Sequence, residues 1–515
     1  MSQTESFREA IIQGYTFQGP SVPLGGAMLD NETLSDCLVN VPLKTLNRHG
    51  LIAGATGTGK TKTLQLLSES LSAQGVPVLL MDIKGDLSGL AQPSAGHPKI
   101  EERHEKIGIP FEPSGFPVEL LTISQDQGAR LRATVSEFGP VLLSKILGLN
   151  DTQSGIVSLI FKYCDDKNLL LLDLKDFKKV LHYANEEGKE EIKKEYGLIS
   201  PSSLGAISRR VIELEQQGAD RFFGERSFDP EDLLRTDEQG RGYLSILRLT
   251  DIQDRPKLFS TFMLCLLAEV YATFPEAGDS DKPKLVIFID EAHLLFDEAS
   301  DALLDQLESI IKLIRSKGVG IFFCTQLPAD IPDAVLSQLG LKVQHALRAF
   351  TAKDRKNIKL AAENFPLTDY YDTAETLTQL GIGEALVTVL NEKGIPTPLV
   401  RTLLCAPRSR MDVLTEKEID QLVSQSEIAD RYNEDIDRES AYEVLTAKIL
   451  AAEQAEAAPV PEMEKTVRRR RQEEPGFFQE LSKNTMVRQL GRTVMRELTR
   501  SLLGVLGVKS RRRRR

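Results

Sequence analysis

Cysteine is scarce in this 515-residue chain: Cys37, Cys164, Cys265, Cys324 and Cys405 are the only five, and no two form a C-x-x-C pair. That scatter excludes a disulfide framework and a zinc site built from paired thiolates, and it fits a reducing cytosol. Long apolar runs are missing too. No stretch approaches the roughly 20 residues that a membrane-spanning helix requires. The opening MSQTESFREA has neither the basic start nor the apolar stretch of a secretory signal, so a cytoplasmic protein is expected. Apolar residues make up 41% and charged residues 27%, the balance of a globular protein, with length for about two to four domains.

Charge is unevenly spread. The net value is −11, yet residues 461–515 carry sixteen Lys/Arg against six Asp/Glu, leaving 48 against 69 in the rest. An acidic body therefore carries a basic tail. Such a body argues against a broad basic face for nucleic acid, although a narrow basic channel is compatible with an acidic total.

What is present centres on Gly54-Ala55-Thr56-Gly57-Thr58-Gly59-Lys60-Thr61, which fits G-x-x-x-x-G-K-[ST] at every fixed position. The apolar run Gly50 to Ala53 precedes it, and Leu64, Leu67, Ser68 and Leu71 recur at helical spacing after it, so the motif sits between a strand and a helix. Glycines let successive N–H groups turn inward on phosphate oxygens, and the helix N-terminus adds partial positive charge. In this reading Lys60 reaches the β- and γ-phosphates of a nucleotide and Thr61 ligates Mg²⁺.

Further strands are expected at Pro77–Met81, ending in Asp82, at Val118–Ile123 and at Tyr243–Leu249. The five-residue run Leu285–Ile289 ends in Asp290-Glu291, and Gly318–Cys324 ends in Thr325-Gln326. Strand and helix alternate throughout, which argues for an α/β fold with a mostly parallel sheet, and such sheets collect ligands at the carboxyl ends of their strands. Asp290 is expected to support Mg²⁺. Glu291 beside it is suited to polarise an attacking water, and Gln326 to orient that water or sense the γ-phosphate.

The expected organisation is a short segment over 1–45, a first core part over 46–150, a helical insert over 151–239 and a second core part over 240–410. A charged helical segment follows over 411–456, and then a linker and basic tail over 457–515, with helical spacing from Phe477 to Leu506. A basic amphipathic helix of that kind can lie on anionic lipid, dock on a partner helix or pack on its own protein.

Four stretches, RHGLIAGATGTGKT, VLLMDIKGD, LVIFIDEAH and IRSKGVGIFFCTQLP, resemble in order the motifs of the HerA/FtsK branch of additional-strand P-loop ATPases, and within it the YjgR-type HerA-like bacterial proteins. The resemblance implies a RecA-like core, ATP and Mg²⁺ as cofactors, and assembly into a homo-oligomeric ring, a hexamer, that moves DNA. It implies that Glu291 is the general base and Gln326 a sensor. It further implies that Arg48 reaches into a neighbouring subunit, that Arg315 lies near the nucleotide of its own subunit, and that Asp82 lies close to the site. The competing expectation is an ATPase that remodels or docks a protein partner at a membrane surface. About forty residues before Arg48 are few for the small β-barrel with which HerA motors begin.

Overall fold

The computed structural model describes residues 2–457 apart from 124–125, 251–254, 279, 298, 300 and 437, so the basic tail and its expected helix lie outside the described residues. Twelve strands follow in chain order: β1 (Ser21–Leu29), β2 (Glu32–Pro42), β3 (Gly50–Ala53), β4 (Val78–Asp82), β5 (Val118–Thr122) and β6 (Ala129–Arg130), then β7 (Leu244–Arg248), β8 (Leu285–Ile289), β9 (Val319–Thr325), β10 (Leu341–Gln344), β11 (Glu384–Thr388) and β12 (Val400–Leu404). They form one sheet in the order β2-β1-β12-β11-β10-β3-β9-β8-β4-β7-β5-β6. From β10 to β6 every pairing is parallel, and the β2 side is antiparallel.

The central strands read as unbroken apolar runs because both of their faces are covered. In β4, Leu79 and Met81 join one core while Val78 and Leu80 join the other; in β8, Leu285, Ile287 and Ile289 oppose Val286 and Phe288 in the same way. The period of two thus divides each strand between two helical layers. On the first face pack the helices Pro256–Thr273 and Asp301–Ile314 and a group of helices that enters the chain between β6 and β7. That group includes Asp151–Asp166, Leu174–Asn185 and Pro201–Gln216. The second face carries Lys60–Ala73 and the N-terminal helix Gln3–Tyr15.

The first forty residues extend this sheet. β1 and β2 form a hairpin whose two-residue turn, Asp30-Asn31, has φ of 48° and 64°, the left-handed geometry that matches strand twist. β1 then pairs with β12, so the hairpin is welded to the sheet's antiparallel side. At the opposite edge the two-residue β6 is capped when the Arg130 N–H donates to Asn433 Oδ1 at 3.0 Å, which blunts a strand that would otherwise present free amides.

Candidate active site

The phosphate-loop motif leaves the carboxyl end of β3 and runs straight into the helix Lys60–Ala73. Gly54, Gly57 and Gly59 have φ of 154°, 78° and 115°, values that side chains with a Cβ resist. At Gly54 a Cβ would also stand 2.5 Å from the Cβ of His345. Neighbouring strand ends hold the loop: the Gly54 N–H donates to Thr325 O at 3.2 Å, the Ala55 N–H to Ala346 O at 2.9 Å, and the Gly383 N–H to Thr58 O at 3.1 Å. The Thr58 hydroxyl closes the turn onto Ala55 O at 2.7 Å, while Thr56 and Gly57 stay exposed. Lys60 is buried, and its ammonium donates to Gly54 O at 2.7 Å and Ala55 O at 3.3 Å. Burial, and secondarily the nearby Lys84, holds its proton affinity below the ordinary value. Thr61 sits half-buried in the first turn of a helix whose start has no side-chain cap, so its leading N–H groups are left for an anion.

Two strands away, β8 delivers Asp290 and Glu291 to the same end of the sheet, with β9 standing between β3 and β8. Asp290 is 2% exposed. Burial pushes its carboxyl up to about 6, Glu291 adds to the rise, and Lys84 opposes it. Glu291 takes φ of 45°, a left-handed conformation rare for a residue with a side chain. The Lys84 ammonium is ion-paired with Glu291 Oε1 and lies 3.8 Å from Asp290 Oδ2. Asp290 Oδ2, Glu291 Oε2 and Asp86 Oδ1 are buried without a hydrogen-bond partner. Hard oxygens with no hydrogen bond, beside a phosphate loop, suit Mg²⁺, which takes one or two carboxylates plus phosphate and water rather than a full protein cage. No group of three or more His, Cys, Asp or Glu able to hold a metal unaided occurs among the described residues.

Asp82 ends β4 beside β8, but its carboxylate is engaged locally. It accepts the N–H groups of Gly85 at 2.7 Å, Asp86 at 3.2 Å and Leu87 at 3.2 Å, shaping the turn that carries Lys84. Burial, with Asp86 nearby, raises its carboxyl to about 6 against the pull of those amides. Gln326 is exposed at the tip of β9, where Asp330 fixes the chain's exit by accepting from Thr325 Oγ1 at 2.6 Å and the Leu327 N–H at 2.8 Å.

The two arginines lie elsewhere. β3 and β9 run parallel with Gly50 beside Phe322 and Ala53 beside Thr325, and Arg48 and Arg315 precede these strands. Both therefore stand at the amino ends, across the sheet from the phosphate loop. The expectation that Arg315 lies near the nucleotide of its own subunit is corrected by this register: β9 has seven residues, on the order of 20 Å at about 3.3 Å each, more than an arginine side chain spans. Arg315 shares its surroundings with Arg48, whose charge adds to burial in lowering its proton affinity.

Three side chains had no place in the sequence reading. Lys84 sits inside VLLMDIKGD, where its charge directly after a buried strand was a readable signal. His345 is fully buried behind the loop, with Nε2 2.8 Å from Thr63 Oγ1. His49 is buried between Arg48 and β3; its Nδ1 accepts from the Ile321 N–H at 3.0 Å, which leaves Nε2 to donate to Ile311 O at 2.7 Å. Nothing local in the sequence marks either histidine.

Two archaeal relatives from Sulfolobus acidocaldarius align over most of the chain: the DNA double-strand break repair helicase HerA at 22% identity over 369 residues, 70% of this chain and 66% of the relative, and the DNA import protein CedB at 24% over 362 residues, 69% and 52%. The chain thus spans a little under two thirds of its HerA relatives. Among solved structures, the bacterial conjugative coupling protein TrwB lacking its first 70 residues shares the fold, with a TM-score of 0.50 and 14% identity over 79% of this chain and 94% of that one. The model of the helicase HerA-like C-terminal family matches residues 28–513, and the chain belongs to that family.

Proposed function

We propose that this chain is an ATP-hydrolysing motor of the HerA type that works as a ring, a hexamer, and translocates DNA. The observation that carries the ATPase reading is the convergence, at one end of the sheet, of the phosphate loop with Asp290 Oδ2 and Glu291 Oε2, buried oxygens that accept no hydrogen bond. In this reading the loop from Gly54 to Thr61 wraps the phosphates, Lys60 contacts the β- and γ-phosphates, and Thr61 and Asp290 hold Mg²⁺. The metal, when bound, neutralises phosphate charge. Glu291 takes the proton of the attacking water and Gln326 orients it, while Asp82 supports the site from the adjacent turn.

The position of one arginine supports the ring. Arg48 stands at the end of the sheet opposite its own phosphate loop, a position that supports its reaching the site of a neighbour in a head-to-tail assembly. DNA as the moved polymer rests on the names of the relatives, and an acidic body requires that contact to be confined to a channel.

Glu291→Gln is expected to bind ATP within about threefold of the wild type while losing at least ~100-fold in turnover, whereas Lys60→Ala weakens both binding and turnover. Full turnover in Glu291→Gln would remove the base assignment. Turnover with duplex DNA, single strands or anionic vesicles then separates the readings of the polymer: stimulation by vesicles alone overturns translocation of DNA.

A further inference from the structure

We propose that Lys84 is a positioning residue for hydrolysis, anchoring the Glu291 carboxylate by one oxygen so that the other is presented to water. The inference rests on the reading of Glu291 as the base. Its starting point is an asymmetry: Glu291 Oε1 is ion-paired with Lys84, while Oε2 is buried with no hydrogen-bond partner, His293 Nδ1 standing 3.4 Å from it. A carboxylate held at one oxygen has a defined plane, and its second oxygen keeps the lone pairs that accept a proton.

Lys84 is itself placed with care. Asp82 accepts three consecutive backbone N–H groups, from Gly85, Asp86 and Leu87, which fixes the turn just after Lys84. Gly85 has φ of 75°, and a Cβ there would stand 2.9 Å from Thr250 Cγ2, so this turn calls for glycine. Lys84 comes from the turn after β4, the strand on the far side of β8 from β9. Its side chain is 38% exposed, against 12% for Glu291 and 3% for Asp290, so a partly exposed cation faces one buried and one largely covered carboxylate. The role of Asp82 follows: its carboxylate acts on the reaction through Lys84.

The test compares Lys84→Met, Lys84→Gln and Lys84→Arg, alone and combined with Glu291→Gln, by ATP turnover and by equilibrium binding of a non-hydrolysable ATP analogue with Mg²⁺. Lys84→Met is expected to lower kcat by about tenfold to a hundredfold and leave analogue affinity within about twofold. Lys84→Arg restores most of kcat, and Lys84→Gln, which keeps a donor without the charge, falls between and serves if Lys84→Met does not fold. In the Glu291→Gln background the Lys84 changes add no further loss, because the carboxylate they position is gone. An unchanged kcat in Lys84→Met and Lys84→Gln, with Glu291→Gln inactive, overturns the positioning role and leaves the base intact. A tenfold loss of analogue affinity, additive with Glu291→Gln, makes Lys84 a phosphate ligand and also overturns it. Full turnover in Glu291→Gln removes the base reading, and this proposal with it.

Discussion

At the scale of single residues, burial decides which charges the fold tolerates. His49 is held neutral, its imidazole pushed from an ordinary 6.5 down to about 4, chiefly by burial and further by the nearby Arg315. His345 is lowered to about 4 in the same way, with Lys60 as the neighbouring cation. Between about pH 6.5 and 4 the unfolded chain binds protons that these folded rings refuse, so their contribution is complete above 6.5 and is lost as pH falls, on the order of 3 kcal/mol for His49. Asp82 and Asp290, both raised to about 6, work in the opposite sense: they favour the folded state below the ordinary carboxylate range and that gain is lost as pH rises through 6. The comparison of variants separates the two. Urea unfolding of His49→Gln should show lower stability at pH 7 and a smaller further loss on acidification to pH 4.5 than the wild type; parallel losses in the two proteins would remove His49 as the source.

At the scale of elements, the helix after the phosphate loop is pinned from behind. Glu69 is fully buried on it and accepts the N–H of Arg408 at 2.7 Å and of Ser409 at 3.0 Å, together with the Ser409 hydroxyl, while Gln65 Nε2 donates to Ser409 Oγ at 2.7 Å. Glu69→Ala orphans one buried and one part-buried amide at about 1–3 kcal/mol each, so a loss of about 3 kcal/mol is expected in urea unfolding, with nucleotide affinity weakened alongside. A change under about 0.5 kcal/mol would show that water replaces the carboxylate. Elements buried on both sides were also the ones legible in the sequence: β3, β4, β8 and β9 appear there as apolar runs ending in chemistry-bearing residues. β12 was missed, because VRTLL mixes an arginine and a threonine into a short run between prolines and a cysteine. The helix Gln3–Tyr15 was missed too, although Ser2 and Glu5 form a capping box at its start. Contiguous chemistry such as Gly54 to Thr61 is written in one stretch of chain. The Lys84–Glu291 pair and the true position of Arg315 depend on strand order and direction, which no local pattern encodes.

At the scale of the whole molecule, one chain presents a phosphate loop at one end of its parallel strands and two arginines at the other. In the proposed ring, subunits bearing Arg48→Ala mixed with subunits bearing Glu291→Gln should regain part of the turnover that each lacks alone, since some interfaces then join an intact Glu291 to an intact neighbouring Arg48. No recovery at any mixing ratio, with assemblies still forming, would count against action between subunits. The same arrangement makes β3 and β9 rulers. An extended strand can neither stretch nor compress, so the offset between the arginines and the phosphate loop is a constant of about 3.3 Å per residue, independent of loops and inserts. Evolution can therefore lengthen the excursion between β6 and β7 without altering that offset, whereas one residue added within β9 would shift Arg315 relative to the phosphate loop and turn the buried faces of Ile321 and Phe323 the wrong way.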